Sequence, residues 1–286
     1  MNKKHLIIFI VTLFFITGCF KKDNLEDITI HTTNYPIEYI THRLYGSHSD
    51  IYSVYPNDVD IKTYKLNDKQ LTDYSKGSLF IYNGLSNEKE YAITMLNKNK
   101  RLLIIDAAMD MGYTNEEEEI WLDPSNFLMM ARNIKEGFKE YITNSYMKKE
   151  IDENYEKLKI DISEIDAETS LIVDNATNKT IVVADDLFLF LQKYGLEVLS
   201  LEDNNNLTAK KLDDIEKLMK NKKINYIFIK NNDELNEKAK ALAEKYNIPT
   251  LSFKTGSNLS EIERSEKIDL IKIFYNNIEE LKKELY

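Results

Sequence analysis

The chain has 286 residues, 43% of them hydrophobic and 30% charged, with a formal net charge of −10. It is too apolar for a wholly disordered chain and long enough for two packed domains. Its acidic balance disfavours nucleic acid as a partner, since phosphate binding draws on clustered Lys and Arg, and its single cysteine rules out an internal disulfide.

At the start, Lys3 and Lys4 precede an apolar run from Leu6 to Phe15 and then Ile16-Thr17-Gly18-Cys19. A charged beginning, a short apolar stretch and a small residue before the cut make residues 1–18 a secretory signal, too short to span a bilayer as a helix. The placing of Cys19 resembles the bacterial lipobox. It implies that the Cys19 thiol carries a lipid and that the mature protein is anchored at the extracytoplasmic face of the cell membrane. Cleavage would remove Lys3, Lys4 and no acid, taking the formal charge from −10 to −12. Residues 19–27 read as a polar tether.

Residues 28–143 form a first α/β lobe. The β-branched run Asp27 to Thr33 predicts a strand, ended by Asn34-Tyr35-Pro36, after which Ile37, Ile40, Thr41 and Leu44 recur at helical spacing up to Gly46. Ile51 to Val54 is a second strand and Pro56 to Asp60 a loop. Leu66 to Ser75 reads as a helix capped by Asn67, Leu79 to Tyr82 as a buried strand closed by Asn83-Gly84, Glu88 to Asn97 as a helix and Leu102 to Ile105 as a strand.

Residues 144–174 predict one long helix, with Ile151, Tyr155, Leu158, Ile162 and Ile165 in a single apolar stripe. No Gly falls from Phe138 to Tyr194 and no Pro from Ser125 to Ile248, so nothing interrupts it. At ~45 Å it would suit a strut between lobes, although periodicity alone also allows a solvated helix of a bundle. The second lobe, 175–286, repeats the grammar of the first. Strands are predicted at Thr180 to Val183, Glu197 to Ser200, Tyr226 to Ile229 and Pro249 to Phe253. Helices are predicted at Leu187 to Tyr194, from Thr208 to Lys220, at Glu234 to Tyr246 and at Ile268 to Leu285. Strands alternating with helices imply parallel sheets with right-handed crossovers.

Locally, Trp121-Leu122-Asp123-Pro124 makes sense as the opening of a helix: Asp123 caps it, Pro124 suits the first helical position, and Trp121 fills the base of the lobe. Together with Tyr82-Asn83-Gly84-Leu85 followed by Glu88, Tyr194-Gly195-Leu196, the terminal Asn277 to Leu281 and the lipobox, it resembles the zinc and manganese solute-binding proteins of bacterial ABC importers. The resemblance covers essentially the whole mature chain. It implies two small parallel-sheet α/β lobes joined by one rigid helix, with a ligand cleft between them.

The metal site that the resemblance implies is altered in this sequence. The family's Asp-Pro-His-x-Tyr loop matches Asp60-Ile61-Lys62-Thr63-Tyr64, which puts Lys62 at the histidine. A second family histidine, two residues before the Trp, falls at Glu119, and a third at Ala184, followed by Asp185 and Asp186. The family's acidic ligands fall at Lys230 and near Lys254. A lysine ammonium offers no lone pair and repels a dication, whereas zinc needs imidazole or carboxylate donors. Of the four histidines, His5 leaves with the signal, and His31, His42 and His48 fit surface or helix faces.

Two readings follow. In the first, the chain is a lipid-anchored binding or interaction module, expected as a monomer, with a degenerate metal site and no cofactor. Glu119 there faces Lys230 or Lys254, and Asp60, Asp185 or a bound anion completes the charge balance. In the second it is a working receptor that passes zinc or manganese to an ABC permease, with Glu119, Asp185, Asp186 and part of Glu116 to Glu118 as ligands. Enzyme motifs such as a phosphate loop, Gly-x-Ser-x-Gly or His-Glu-x-x-His are missing.

Overall fold

A computed structural model describes residues 23–112, 119–231 and 233–286. The signal, Cys19 and Glu116 to Glu118 lie outside the described residues. β-Branched and aromatic runs supply four strands to each lobe: β1 Thr29–Thr32, β2 Asp50–Ser53, β3 Leu79–Tyr82 and β4 Leu103–Asp106, then β5 Thr180–Val183, β6 Glu197–Ser200, β7 Ile227–Lys230 and β8 Thr250–Phe253. Every pairing is parallel. The orders β2-β1-β3-β4 and β6-β5-β7-β8 are the same topology repeated. In such sheets the chain leaves β1 and β3, or β5 and β7, toward opposite sides, which opens a crevice at their carboxyl ends.

The helices are α1 Tyr35–Tyr45, α2 Asp68–Tyr74, α3 Glu88–Lys98, α4 Pro124–Tyr141, α5 Ser145–Asp174, α6 Ala209–Lys220, α7 Glu237–Tyr246, α8 Glu261–Ser265 and α9 Leu270–Leu285. Their starts follow capping chemistry: Asn34 accepts from Ile37 N at 3.1 Å, Asn67 and Gln70 form a reciprocal box, and Asp123 accepts from Ser125 N at 2.8 Å ahead of Pro124.

α5 is the expected strut, buried at Ile151, Leu158, Ile162 and Ile165, while Tyr155 is only half-buried beneath the Lys135 ammonium. As far as Asp161 the helix is tied to lobe one, by Asn154 to Leu44 O (3.2 Å) and Arg43 to Asp161 (2.5 Å). From Asp166 onward it is tied to lobe two, by Tyr194 Oη to Asp166 (2.7 Å) and Tyr286 Oη to Ile172 O (2.8 Å). The main apolar core runs unbroken through both lobes, with Phe127 edge-on to Phe274 at 6.0 Å. Two smaller cores cover the far faces of the sheets.

Three expectations change. Leu187 to Tyr194 is not α-helical but part of a 3-10 coil, Asp186–Tyr194, closed by Gly195 at φ 92°. The run Leu187 to Leu191 is apolar all round, with no polar face to set an α-helical repeat. The second change is α8, which the sequence analysis passes over despite the Ser260/Glu263 capping box.

The third concerns the tether, whose described part is packed. Leu25 is fully buried, and Asp23 Oδ2 accepts from Thr143 N (2.9 Å), Thr143 Oγ1 (2.9 Å) and Asn144 N (2.7 Å). Polar composition hid this because Asp23 works as a cap for donors left free where α5 begins.

Candidate functional site

The crevices of the two lobes face one another, and four charged side chains meet there. Asp60 Oδ1 accepts from Lys62 N at 3.0 Å and Oδ2 from Thr63 Oγ1 at 2.9 Å, a side-chain turn that fixes the loop carrying Lys62. Glu119 sits one residue before the 3-10 turn Ile120–Leu122, and Lys230 ends β7. Asp185 follows β5 and caps the 3-10 coil, with Oδ1 accepting from Leu187 N at 2.8 Å.

Lys230 Nζ lies 3.3 Å from Glu119 Oε2, with both side chains 5% exposed. Lys62 Nζ is 3.6 Å from the same oxygen, and Asp185 Oδ2 is 3.6 Å from Lys230 Nζ. Asp233, mostly exposed and missed by the sequence analysis, is 4.0 Å away.

Burial pushes the Glu119 carboxyl up, against the pull of Lys230 and Lys62. Burial would lower Lys230, but Glu119, Asp185 and Asp233 outweigh it and hold the ammonium above its ordinary range. The cluster is therefore an ion network whose lysine stays charged at neutral pH. As a donor set for a cation it does not fit: two ammoniums flank the one buried carboxylate. Among the described residues no group of three His, Cys, Asp or Glu side chains converges as metal ligands would.

The other candidate positions read from the sequence do not join it. Ala184 N donates to Phe228 O at 2.8 Å and the residue packs behind the sheet. Asp186 turns toward the loop after β6, its N donating to Glu202 and its Oδ2 accepting from Asn204 at 2.8 Å, which removes it from the carboxylate set expected around Glu119. Lys254 pairs with Glu263, not Glu119, while Asn277 holds its backbone through bonds of 2.9 and 2.7 Å. Asp60 spends both carboxylate oxygens on its own turn, so Asp185 is the acid that completes the cluster. Of the histidines, His31 is not at the surface as expected but half-buried between the tilted rings of Tyr52 and Tyr74, with burial lowering its pKa. His48 meets Glu150 at 3.0 Å. His42 lies in the last turn of α1, and burial lowers its pKa despite Glu38 nearby.

Beside the cluster, a cavity of about 400 Å³ is bordered by Asp58 and Asp60 from lobe one and by Asn231, Asp233, Lys254 and Glu263 from lobe two. The seam around it is closed. Trp121 Nε1 donates to Thr255 O (2.8 Å), Tyr35 N to Ser257 O (3.0 Å) and Asn258 Nδ2 to Pro56 O (2.8 Å). Arg264 forks onto both oxygens of Glu38 at 2.8 and 2.9 Å. Trp121 thus does more than fill the base of its lobe. No local signal marks Arg264 or Asn258, because their partners lie about 200 residues earlier in the chain.

Known structures share this architecture. The metal-dependent lipoprotein YcdH from Bacillus subtilis superposes with a TM-score of 0.75 at 18% identity, covering 91% of this chain and 99% of that one. The Zn(II)-bound ZnuA-like domain of Streptococcus pneumoniae AdcA gives 0.74 at 18%, covering 91% and 99%. The laminin-binding protein Lbp of Streptococcus pyogenes gives 0.73 at 17%, covering 91% and 100%. At these identities the likeness establishes the fold. No curated protein matches the sequence. Residues 30–284 match the ZnuA family, described as the zinc-uptake complex component A, periplasmic; the chain belongs to this family of solute-binding receptors of ABC importers, which are not enzymes.

Proposed function

We propose that this chain is a lipid-anchored, extracytoplasmic solute-binding protein whose inherited metal position is degenerate, and that it acts as a monomeric binding or interaction module. The observation that carries the reading is the Lys230–Glu119 pair, buried at 3.3 Å, at two positions where the resemblance implies metal ligands. A dication there would have to displace one buried ammonium and lie beside another, that of Lys62. YcdH is described as metal-dependent and the AdcA domain as Zn(II)-bound, so metal handling is the background from which this site departs. The second reading, a zinc or manganese receptor feeding an ABC permease, loses Asp186 as a ligand and keeps Lys230 in the way.

Calorimetry with zinc and with manganese on the mature domain tests the choice. No one-to-one complex of submicromolar affinity is expected with either ion; such a complex, abolished in Glu119→Ala, would establish the metal receptor instead. Membrane attachment is tested separately by Cys19→Ser. The variant should be released or stall in processing, and normal cleavage with unchanged membrane retention would refute the anchor.

A further inference from the structure

We infer that the anchored protein stands on the membrane with the base of lobe one and the start of α5 against the lipid, and with the cleft and lobe two held away from it. The inference rests on the lipid-anchor reading of Cys19. Asp23 is fastened to Thr143 and Asn144 by three bonds of 2.7 to 2.9 Å, and Leu25 beside it is fully buried, with its carbonyl accepting from Ser49 Oγ at 2.7 Å. Asp27 N donates to His48 O at 2.8 Å, so the chain is strapped to lobe one along its whole course from Asp23 to β1. From Asp23 back to Cys19 is four residues, so the lipid attachment lies within ~14 Å of the strap whatever their conformation.

That strap enters at the amino end of β1, whereas the charged cluster lies beyond the carboxyl ends of the strands, at the opposite end of the sheet. α5 gives the direction. It starts at the strap, reaches the junction of the lobes near Asp166, where Lys193 bridges Asp166 and Asp123, and ends against α9, where Tyr286 Oη meets Ile172 O. From its first turn to Asp166 is roughly 30 Å along the helix, and lobe two lies further still. A lipid at Cys19 would therefore bring lobe one down first and leave the cleft about a lobe's height above the headgroups. Tyr146, 73% exposed in the first turn of α5, is an amphipathic ring suited to headgroup depth.

Because a lipid would consume the thiol of the only cysteine, one introduced cysteine can be labelled uniquely in the lipidated protein. Tyr146→Cys and Leu171→Cys place a fluorophore at two exposed sites of the same helix, about 37 Å apart. Reconstituted into phosphatidylcholine vesicles carrying an acceptor on the headgroups, the first should transfer energy several-fold more efficiently than the second. Insertion of about twenty Gly and Ser residues after Lys22 lengthens the segment between Cys19 and Asp23 without touching the fold and should collapse the contrast. Equal transfer from the two sites, or a contrast unchanged by the insertion, would overturn the orientation while leaving the anchor intact. Failure of the wild-type protein to float with vesicles would overturn the anchor and the orientation with it.

Discussion

Two of the ion pairs that join the lobes are built differently. At the floor, Lys230 reaches Glu119 through one contact of 3.3 Å, with both side chains 5% exposed. At the rim, Arg264 holds Glu38 by two bonds of 2.8 and 2.9 Å, its side chain 29% exposed and its guanidinium carbon 5.4 Å from the centre of the Tyr35 ring. The forked geometry at the rim is the strong form of a charge-assisted pair, and it keeps part of its hydration. The floor has neither advantage, because burial disfavours both charges and a single contact recovers only part of that loss. The rim therefore supplies net stabilisation. The floor is a constraint: neither of its charges can be removed alone without stranding the other.

Halving the floor pair should give the largest effect. Glu119→Gln leaves the Lys230 ammonium buried with only the more distant Asp185 and Asp233, and should destabilise by ~3 to 5 kcal/mol. Adding Lys230→Met should recover most of that loss. Urea unfolding at pH 7 measures both. A single variant as stable as wild type would mean that the floor is solvated and that the contrast with the rim does not hold.

A third buried carboxylate sharpens the comparison by having no ammonium partner. Glu284 is 2% exposed and accepts from Asn225 N (3.0 Å), Tyr226 N (2.9 Å) and Asn178 Nδ2 (3.0 Å). Burial outweighs these bonds and pushes its pKa to about 7 from 4.5. A raised pKa means that its stabilisation is complete below about pH 4.5 and is lost as pH rises through about 7. The full loss is on the order of 3 kcal/mol. Stability measured at pH 5 and pH 8 should fall by more in wild type than in Glu284→Gln, and parallel profiles would count against the shift.

How much of this could be read from the chain follows from how local each signal is. Strands such as Leu79–Tyr82 and Thr180–Val183, the caps Asn67, Asp123 and Thr208, and the uninterrupted α5 are written within a few residues, and they fold as read. The resemblance brought Lys62, Glu119 and Lys230 to one place, but rotamers and neighbours decided the rest. Asp185 and Asp186 are adjacent and both acidic, yet only one can face the cleft when the other is held by Asn204. Lys254 was drawn off by Glu263, which belongs to a short helix that no apolar periodicity announces. Asp23 reads as part of the tether because its partners, Thr143 and Asn144, lie about 120 residues away.

The rim tie ranks next in size. Arg264→Lys removes the fork and the contact with Tyr35 while keeping the charge, and should reduce stability by roughly 1 to 2 kcal/mol. A thermal melt that does not move would show that the rim geometry adds nothing beyond its charge.

The smallest effect should come from Lys62, and its character matters more than its size. Its side chain is 45% exposed and its Nζ is 3.6 Å from Glu119 Oε2, so water competes with the attraction throughout. An exposed pair of this kind is worth under ~1 kcal/mol, and at about 1 M salt, where the screening length falls to about 3 Å, little of it should survive. Lys62→Met should therefore lower stability slightly in low salt and not at all in high salt. Lys230→Met, made in the buried partner of the same carboxylate, should change stability by an amount that salt hardly alters, because ions do not reach that contact. If the two lysine variants respond alike to salt, the floor is open to solvent and Lys230 belongs with the rim; if only Lys62 responds, the cluster has one screened and one dry contact on a single carboxylate oxygen.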